Sequence, residues 1–140
     1  MCITEYKVVN EKGKTKYTFN IPKKIDIKDL FIWNPGVICS NILIRKSIFN
    51  KIGGYDYKLF GSADKELLIK ILLKNYTYVV LKKRLVNYLV HNNQWSKNDY
   101  LTLKSNLGLF KKYNKKMDLV TKTKIIKKII FLDFKTLFKI

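Results

Sequence analysis

The middle of the chain alternates between stretches typical of strands and stretches typical of helices. The helical pattern is clearest where Leu67, Leu68, Ile71 and Leu72 recur on one face. The predicted elements are, in order, a buried strand over Val37–Ile44, a short helix over Arg45–Ile52, a helix over Asp64–Lys74 and strands over Tyr76–Leu81 and Arg84–Val90. Because strands and helices alternate, the sequence predicts an α/β fold in a single compact domain.

Local residues predict where these elements begin and end. Gly53-Gly54 ends the short helix, since glycine is common directly after a helix. Either Ser62 or Asp64 can cap the following helix, with Lys65 facing solvent. Ser40 and Asn41 interrupt an otherwise apolar run, so we expect them to lie in a site or a turn, because an unsatisfied buried polar group is costly.

The two ends of the chain are predicted to fold differently. At the start, β-rich runs over Tyr6–Val9 and Thr15–Phe19 flank a turn containing glycine, which predicts a hairpin. Asp26 is the expected N-cap of a short helix that ends at Trp33. At the end, two helices are predicted over Asp99–Tyr113 and Met117–Phe138.

The net charge of +19 is carried almost entirely by lysine, since arginine occurs only at Arg45 and Arg84. Arginine is the residue expected where phosphates or bases are gripped in a bidentate manner, so the composition counts against nucleic acid as a partner. The N-terminus has no signal-peptide pattern, and no apolar run is long enough for a membrane span. With Cys2 and Cys39 as the only thiols, we expect a reducing, cytoplasmic setting.

A series of motifs resembles the central segment of family 2 glycosyltransferases. That family has a strand with small polar residues, then R-x-x-F-x-x-x-GG-F/Y-D, a loop, and an acidic motif ending in Asp before x-x-L-x-x-R/K. The matching residues are Ser40 to Ile44, Arg45, Phe49, Gly53-Gly54-Tyr55-Asp56, Ser62-Ala63-Asp64, Leu67 and Lys70. A later Y-x-x-H strand and serine loop resemble Tyr88 to His91 and Gln94-Trp95-Ser96. The similarity runs from about Trp33 to Ser96.

The resemblance implies a partial GT-A fold, similar to nucleotide-diphospho-sugar transferases, with a mixed sheet and C-terminal helices. Residues 1–96 would be the acceptor-side part of the domain, and residues 97–140 a basic amphipathic helical extension. The implied activity is transfer of a sugar from a nucleotide sugar to a cell-envelope or polysaccharide acceptor, with inversion at the anomeric carbon. The implied partners are that nucleotide sugar and a sugar or lipid-linked acceptor.

The resemblance also implies roles for individual residues. Asp64 occupies the position of the catalytic base, which takes a proton from the acceptor hydroxyl and is expected to be kept ionised by the helix amides. Gly54 and Tyr55 would shape the acceptor floor, with Ser40 nearby. His91 would lie near the diphosphate or its metal ion.

Trp95 and Ser96 would lie in a loop that closes over donor or acceptor. Each assignment has a structural alternative. Asp64 can be a helix cap, His91 an exposed residue at a strand end, Trp95 a packing anchor, and the glycine pair a helix terminator.

The chain departs from the family pattern in its donor half. No Asp-x-Asp motif is present, so the Mg²⁺ or Mn²⁺ expected in a full-length enzyme has no ligand set here apart from His91. Ala63 stands where the family has Glu or Gln, which weakens the support for Asp64. We therefore expect a piece of an enzyme whose missing N-terminal half is a partner, with weak or no activity alone and with exposed sheet edges.

The last predicted helix is amphipathic and basic. Its apolar residues are Leu119, Ile126, Ile129, Ile130, Phe134, Leu137 and Phe138, and its lysines are Lys124, Lys127, Lys128, Lys135 and Lys139. Such a helix can lie on an anionic membrane, placing the protein at the inner face of the membrane, or it can pack on the domain's own core. The alternative function is therefore a small basic module that binds anionic membrane or nucleic acid.

Overall fold

The computed structural model describes residues 1–91, 94 and 97–138. Its central strand is β1, Cys2–Val9, which pairs with β2, Thr15–Phe19, in an antiparallel hairpin. The turn is closed by Gly13, whose φ is 73°, and by the Asn10 side chain, which accepts from two backbone amides. The predicted hairpin is confirmed, and its first strand extends back to Cys2.

The sheet is mixed and four-stranded. Strand β3, Ile42–Leu43, is antiparallel to the start of β1, and β4, Val79–Leu89, runs parallel to β1 along its whole length. β2 and β3 therefore share one edge of β1, while β4 takes the other. This architecture confirms the α/β class with a mixed sheet and C-terminal helices.

The prediction of two strands over residues 76–90 is wrong, because β4 is one continuous strand. Its register with β1 shifts twice, so that Thr4 lies opposite Leu81 while Glu5 lies opposite Arg84. The extra residues bulge, and Lys82 Nζ bonds both the Glu5 carboxylate, at 2.9 Å, and the carbonyl of Ile21. Lys82 and Lys83, which separate the two strands predicted from the sequence, therefore lie in a β-bulge of one strand.

The predicted strand over Val37–Ile44 is also largely wrong. Cys39–Asn41 form a turn of 3₁₀ helix, and the part that pairs is β3, whose Leu43 is 73% exposed. The cause is the buried Asn41 amide, which donates to the carbonyls of Thr4 and Gly36 at 2.8 and 2.9 Å. The expectation that the polar pair Ser40 and Asn41 lies in a turn is confirmed.

The helices follow the predicted order. They are α1, Ile27–Ile32; α2, Lys46–Lys51; α3, Ala63–Leu73; α4, Asp99–Tyr113; and α5, Leu119–Phe138. Asp26 caps α1 by accepting from Lys28 N at 2.8 Å, as predicted. Gly53 and Gly54 follow α2 with φ of 81° and 57°, values that favour glycine and explain its end.

Helix α3 lies at the centre of the core. Its residues Leu67, Leu68, Ile69 and Ile71 are fully buried. The same cluster contains Ile3 of β1, Leu30 and Phe31 of α1, Leu109 of α4 and Ile125 of α5. Residues on both sides of position 97 thus share one hydrophobic core, and a division of the chain at that position remains a prediction.

Polar contacts fasten α5 to α1. Lys128 of α5 donates to the carbonyl of Ile32 at 2.6 Å, and Lys28 pairs with Asp118, directly before α5, at 2.7 Å. Lys135 of α5 pairs with Asp99 at the start of α4, at 2.9 Å. One face of α5 is therefore fixed on the domain, with two of its lysines turned inward.

Candidate functional site

Asp64 lies in the first turn of α3. Ser62 occupies the N-cap position, so the alternative that Asp64 is the cap is wrong. The Ser62 hydroxyl does not cap the helix but lies 2.5 Å from that of Ser105. The Asp64 carboxylate accepts from the backbone N–H of Lys65 at 2.6 Å. Asp64 is therefore held by the helix terminus without being needed to start it.

Burial raises the pKa of Asp64 to about 6, although the Lys65 amide and the Lys65 charge act in the opposite direction. The sequence predicts a carboxylate kept ionised by helix amides, whereas here desolvation outweighs them. At pH 7 such a group is still ionised in a ratio of about ten to one. A half-buried carboxylate with a pKa near neutrality suits proton abstraction, because a general base works best with a pKa close to the ambient pH.

Tyr55 and Cys39 accompany Asp64. The Tyr55 hydroxyl donates to the Cys39 thiol, and burial, Cys39 and Asp64 together raise the pKa of Tyr55 to about 12. Burial and the Asp64 charge raise the pKa of Cys39, which the bond from Tyr55 partly offsets. At neutral pH the three groups are thus a carboxylate, a phenol and a thiol, and the Tyr55 ring is 41% exposed.

Tyr55 is positioned by the glycine turn and by α3. Its ring packs edge-on against Phe49 with the centroids 5.3 Å apart. A Cβ on Gly54 would lie 3.0 Å from the Phe49 ring, so this turn needs glycine for space as well as for its positive φ. Lys70 of α3 donates to the Gly54 carbonyl at 2.9 Å. The turn that precedes Tyr55 is therefore tied directly to the helix that carries Asp64.

A buried ionic network supports this arrangement. Glu66 is fully buried, and its carboxylate contacts Lys70 Nζ at 2.9 Å, Lys112 Nζ at 2.9 Å and the Tyr113 hydroxyl at 2.6 Å. Lys112 also bonds Asp56 at 2.5 Å. A buried carboxylate needs such partners, since removing one leaves an uncompensated charge. The network joins α3, α4 and the segment after Tyr55 into one unit.

An aromatic cluster on the sheet lies close enough for Asp64 to influence it. Tyr6 stacks on Phe19 with the centroids 5.1 Å apart and meets Tyr88 edge-on at 5.8 Å. Burial first, then Tyr17, Tyr88 and Asp64, raise the pKa of Tyr6 to about 12. Gly36 packs directly on Phe19, so the segment leading to Cys39 rests on this cluster. The aromatic cluster therefore lies within electrostatic range of Asp64.

Of the other predicted site residues, Ser40 lies near Asp64 and Tyr55, whereas His91 lies in a different part of the structure. Ser40 is exposed in the 3₁₀ turn directly after Cys39, so the turn brings it to the edge of the site. His91 follows β4 and lines a cavity of about 250 Å³ with residues of the hairpin turn. That cavity shares no lining residue with the Asp64 cluster. Trp95 and Ser96 lie outside the described residues.

Lys65 differs from the expectation that it faces solvent. It is buried, and desolvation first, then the charge of Lys128, lower its pKa to about 7 while Asp64 opposes the shift. Burial also lowers the pKa of Lys128. Lys65 and Lys128 therefore lie on the inner faces of α3 and α5 rather than in solvent.

The donor set around Asp64 does not fit Mg²⁺ or Mn²⁺. These ions take several oxygen ligands, largely carboxylates and water, whereas Asp64 is accompanied by a thiol and by phenols of high pKa. Within residues 1–91, 94 and 97–138, no group of three His, Cys, Asp or Glu side chains could hold a metal ion. No step is assigned to a metal on these residues.

Comparison of the chain with protein-family models, with curated proteins and with solved structures gives no match. None of the helices in the described part of the chain combines the length and the apolar content needed to cross a bilayer.

Several site residues were missed by reasoning from the sequence. Cys39 carries no motif, and its contact with Tyr55 follows only from the turn that replaces the expected strand. The burial of Glu66 was not predicted, because a glutamate two residues after Asp64 resembles an ordinary exposed helix residue. Its spacing to Lys70, i to i+4, was a usable signal for an ion pair but not for its burial.

Proposed function

We propose that the chain is the acceptor-side part of an inverting glycosyltransferase of family 2 with a GT-A-like fold, in which Asp64 is the catalytic base. The observation that carries the proposal is the half-buried, desolvated Asp64 carboxylate within electrostatic range of Tyr55, the residue that follows the double-glycine turn. Two residues of the motif series that suggests the family, Tyr55 and Asp64, are thus close enough to interact, and the pKa of Asp64 suits a general base.

The proposed reaction is a single displacement. Asp64 takes the proton of an acceptor hydroxyl while that oxygen forms a bond to the anomeric carbon of the donor sugar. The bond from the same carbon to the nucleoside diphosphate breaks, the electron pair leaves with the diphosphate, and the configuration inverts. General-base assistance of this kind contributes roughly a hundredfold to ten-thousandfold in rate.

Tyr55 is proposed to carry the acceptor. Its partly exposed ring offers an apolar face on which a sugar ring can stack, while its hydroxyl stays engaged with Cys39. Gly54 keeps this surface clear of a side chain, and Ser40 supplies a hydroxyl at the edge. These residues would orient the acceptor hydroxyl toward Asp64, which is where positioning contributes most to rate.

The donor side is proposed to come from a separate N-terminal half that carries an Asp-x-Asp motif and its Mg²⁺ or Mn²⁺. We place the protein in the cytoplasm, at the inner face of the membrane, acting in polysaccharide or cell-envelope synthesis. Both cysteines are free, which is compatible with a reducing compartment. Alone, the chain is expected to transfer sugar weakly or not at all.

Acceptor binding tests the proposal on the chain itself. Wild-type protein, Tyr55→Ala and Asp64→Asn are applied to an array of oligosaccharides, with Tyr100→Ala as an exposed-tyrosine control on α4. We expect Asp64→Asn and Tyr100→Ala to bind as wild type, and Tyr55→Ala to bind about tenfold more weakly. Failure of every oligosaccharide to bind, or equal binding by Tyr55→Ala, would contradict the proposed acceptor site.

A further inference from the structure

Helix α5 is apolar on two faces, and the domain covers one of them. Thr121, Ile125 and Leu132 are buried against the rest of the protein, with Ile129 partly buried beside them. Lys128 lies on the same inner face, where it bonds the Ile32 carbonyl. Packing on the domain's own core is therefore confirmed for one face of this helix, and docking on a membrane stays a prediction.

The second face remains exposed in the described part of the chain. It consists of the outer stripe, which we define as Leu119, Ile126, Ile130 and Leu137. These residues recur at the spacing of one helix face, and Ile130 is 62% exposed. A contiguous row of large aliphatic side chains along a helix is unusual on a soluble surface, where exposed apolar residues are normally scattered.

The surroundings of the outer stripe are basic. Lys124 and Lys127 are exposed on the same helix, and Lys115 and Lys116 are exposed just before it. Asp133 is the one acidic residue within α5, and the whole chain carries a net charge of +19. An apolar stripe bordered by lysines matches the interface of a bilayer that contains anionic lipid, where acyl chains meet negatively charged headgroups.

We propose that α5 docks the protein on an anionic phospholipid bilayer through the outer stripe, with Lys124 and Lys127 in contact with the headgroups. A second copy of the chain fits less well, because two molecules of charge +19 repel each other at the interface. The helix lies in the plane of the membrane surface, because Ile125 and Leu132 hold its other face against the domain. This interaction does not depend on sugar transfer.

Vesicle flotation tests this proposal. The full chain is mixed with vesicles of phosphatidylcholine alone or of phosphatidylcholine with phosphatidylglycerol. We expect flotation only with phosphatidylglycerol and a loss of binding as salt is raised, because the Debye length falls from about 10 Å at 0.1 M to about 3 Å at 1 M. Binding to neither kind of vesicle would overturn the proposal.

Two pairs of substitutions separate the apolar and charged contributions. Ile126→Ser with Ile130→Ser is expected to weaken partition to anionic vesicles at least tenfold, about the effect of losing one buried aliphatic side chain. Lys124→Gln with Lys127→Gln is expected to weaken it about twenty-five-fold, at roughly fivefold for each lysine. Leu85→Ser, an exposed leucine on β4, is the matched control and is expected to bind as wild type.

A folding control and two further outcomes decide whether the outer stripe is the docking surface. Circular dichroism establishes that each variant is folded, which is expected because all the altered residues are at least partly exposed. Equal binding by Ile126→Ser with Ile130→Ser and by wild type would overturn the outer stripe as the docking surface. Sedimentation that shows a dimer abolished by this pair, without flotation, would assign the stripe to a second copy instead.

Discussion

Helices α3 and α5 depart from the usual relation between polarity and burial in opposite ways: α3 buries charged residues, and α5 exposes apolar ones. α3 buries two charged residues, Lys65 and Glu66, together with its leucines and isoleucines. α5 leaves Leu119, Ile126 and Ile130 exposed while Thr121 is buried. Hydrophobic periodicity identifies both helices correctly, but it does not tell which of their faces the rest of the protein covers.

The difference shows where function is to be sought in each helix. In α3, Glu66 is buried because Lys70 of the same helix and Lys112 and Tyr113 of α4 surround its carboxylate. Lys70 also bonds the Gly54 carbonyl, which ties this network to the turn before Tyr55. In α5 the apolar residues stay exposed because the domain has already used the opposite face. Both a buried polar group and an exposed apolar surface can therefore indicate a functional region.

The largest expected effect comes from breaking the buried network of α3. Glu66→Ala leaves Lys70, Lys112 and the Tyr113 hydroxyl without their common acceptor, and should lower the free energy of unfolding by about 3 to 5 kcal/mol. Urea denaturation measures the change, with the exposed Glu11→Ala as control, expected within about 0.5 kcal/mol of wild type. A Glu66→Ala loss no larger than that of the control would contradict the buried network.

A paired substitution in α5 compares its two faces directly. Ile125→Ala creates a cavity in the core and should cost about 2 to 4 kcal/mol. Ile130→Ala, in the outer stripe, removes the same atoms from an exposed position and should stay within about 0.5 kcal/mol of wild type. Equal losses in urea denaturation would show that the outer stripe is packed in solution and that the two faces do not differ.

The pKa of Asp64 predicts a pH dependence of stability with a definite sign. Its folded-state pKa of about 6 lies above the unfolded value of 3.8, so the folded protein binds the proton more tightly. Stability from this group is present at low pH and is lost as pH rises from about 4 to about 6. Asp64→Asn should therefore be more stable than wild type by about 1 to 3 kcal/mol at pH 7, with little difference at pH 3.

Asp118 supplies a control of opposite sign for that experiment. Its bonds from Lys28 and Thr121 hold its pKa well below the usual range, so its contribution is present at neutral pH and lost as pH falls. Asp118→Asn should therefore destabilise the protein at pH 7 and lose this effect in acid. A stability of Asp64→Asn that tracks wild type at every pH would show that the Asp64 carboxylate is not desolvated.

The smallest predicted change in stability concerns Gly53 and Gly54, in the turn that Lys70 of α3 contacts. Gly53 and Gly54 both have positive φ, so an alanine at either position should cost about 1 to 2 kcal/mol. A Cβ at Gly53 meets open space, whereas one at Gly54 would crowd the Phe49 ring. Gly54→Ala should therefore be about 1 kcal/mol worse than Gly53→Ala in urea denaturation, and equal losses would argue against close packing of Gly54 on Phe49.

Local signals predicted much of the fold. The hairpin, the cap at Asp26, the helix end at Gly53-Gly54 and the limits of α4 follow from turn residues, caps and periodicity, which act over a few positions. The segment over residues 37–44 could not be predicted in this way. Its form depends on Asn41 bonding Thr4 and Gly36, and the contact with Thr4 crosses 37 residues of sequence.

The sequence indicated Asp64, Gly54 and Tyr55 as candidate site residues, but it did not indicate the residues that surround them. Asp64, Gly54 and Tyr55 share a motif series, so one sequence pattern indicated all three. Cys39 and Tyr6 reach the same place from a turn and a strand that precede that series, and Tyr113 supports Glu66 from α4. Such contacts are set by tertiary packing, which residue spacing along the chain does not encode.

Sugar transfer by the chain together with a donor half tests whether Asp64 is the base of a glycosyltransferase. The DNA upstream of the Met1 codon is read in all three forward frames, and any encoded β-α-β segment with an Asp-x-Asp motif is co-expressed with the chain. We predict transfer from a nucleotide sugar that rises with pH through about 6, as Asp64 ionises, and that falls at least a hundredfold in Asp64→Asn. The absence of such a segment, or transfer that Asp64→Asn leaves unchanged, would contradict the glycosyltransferase assignment.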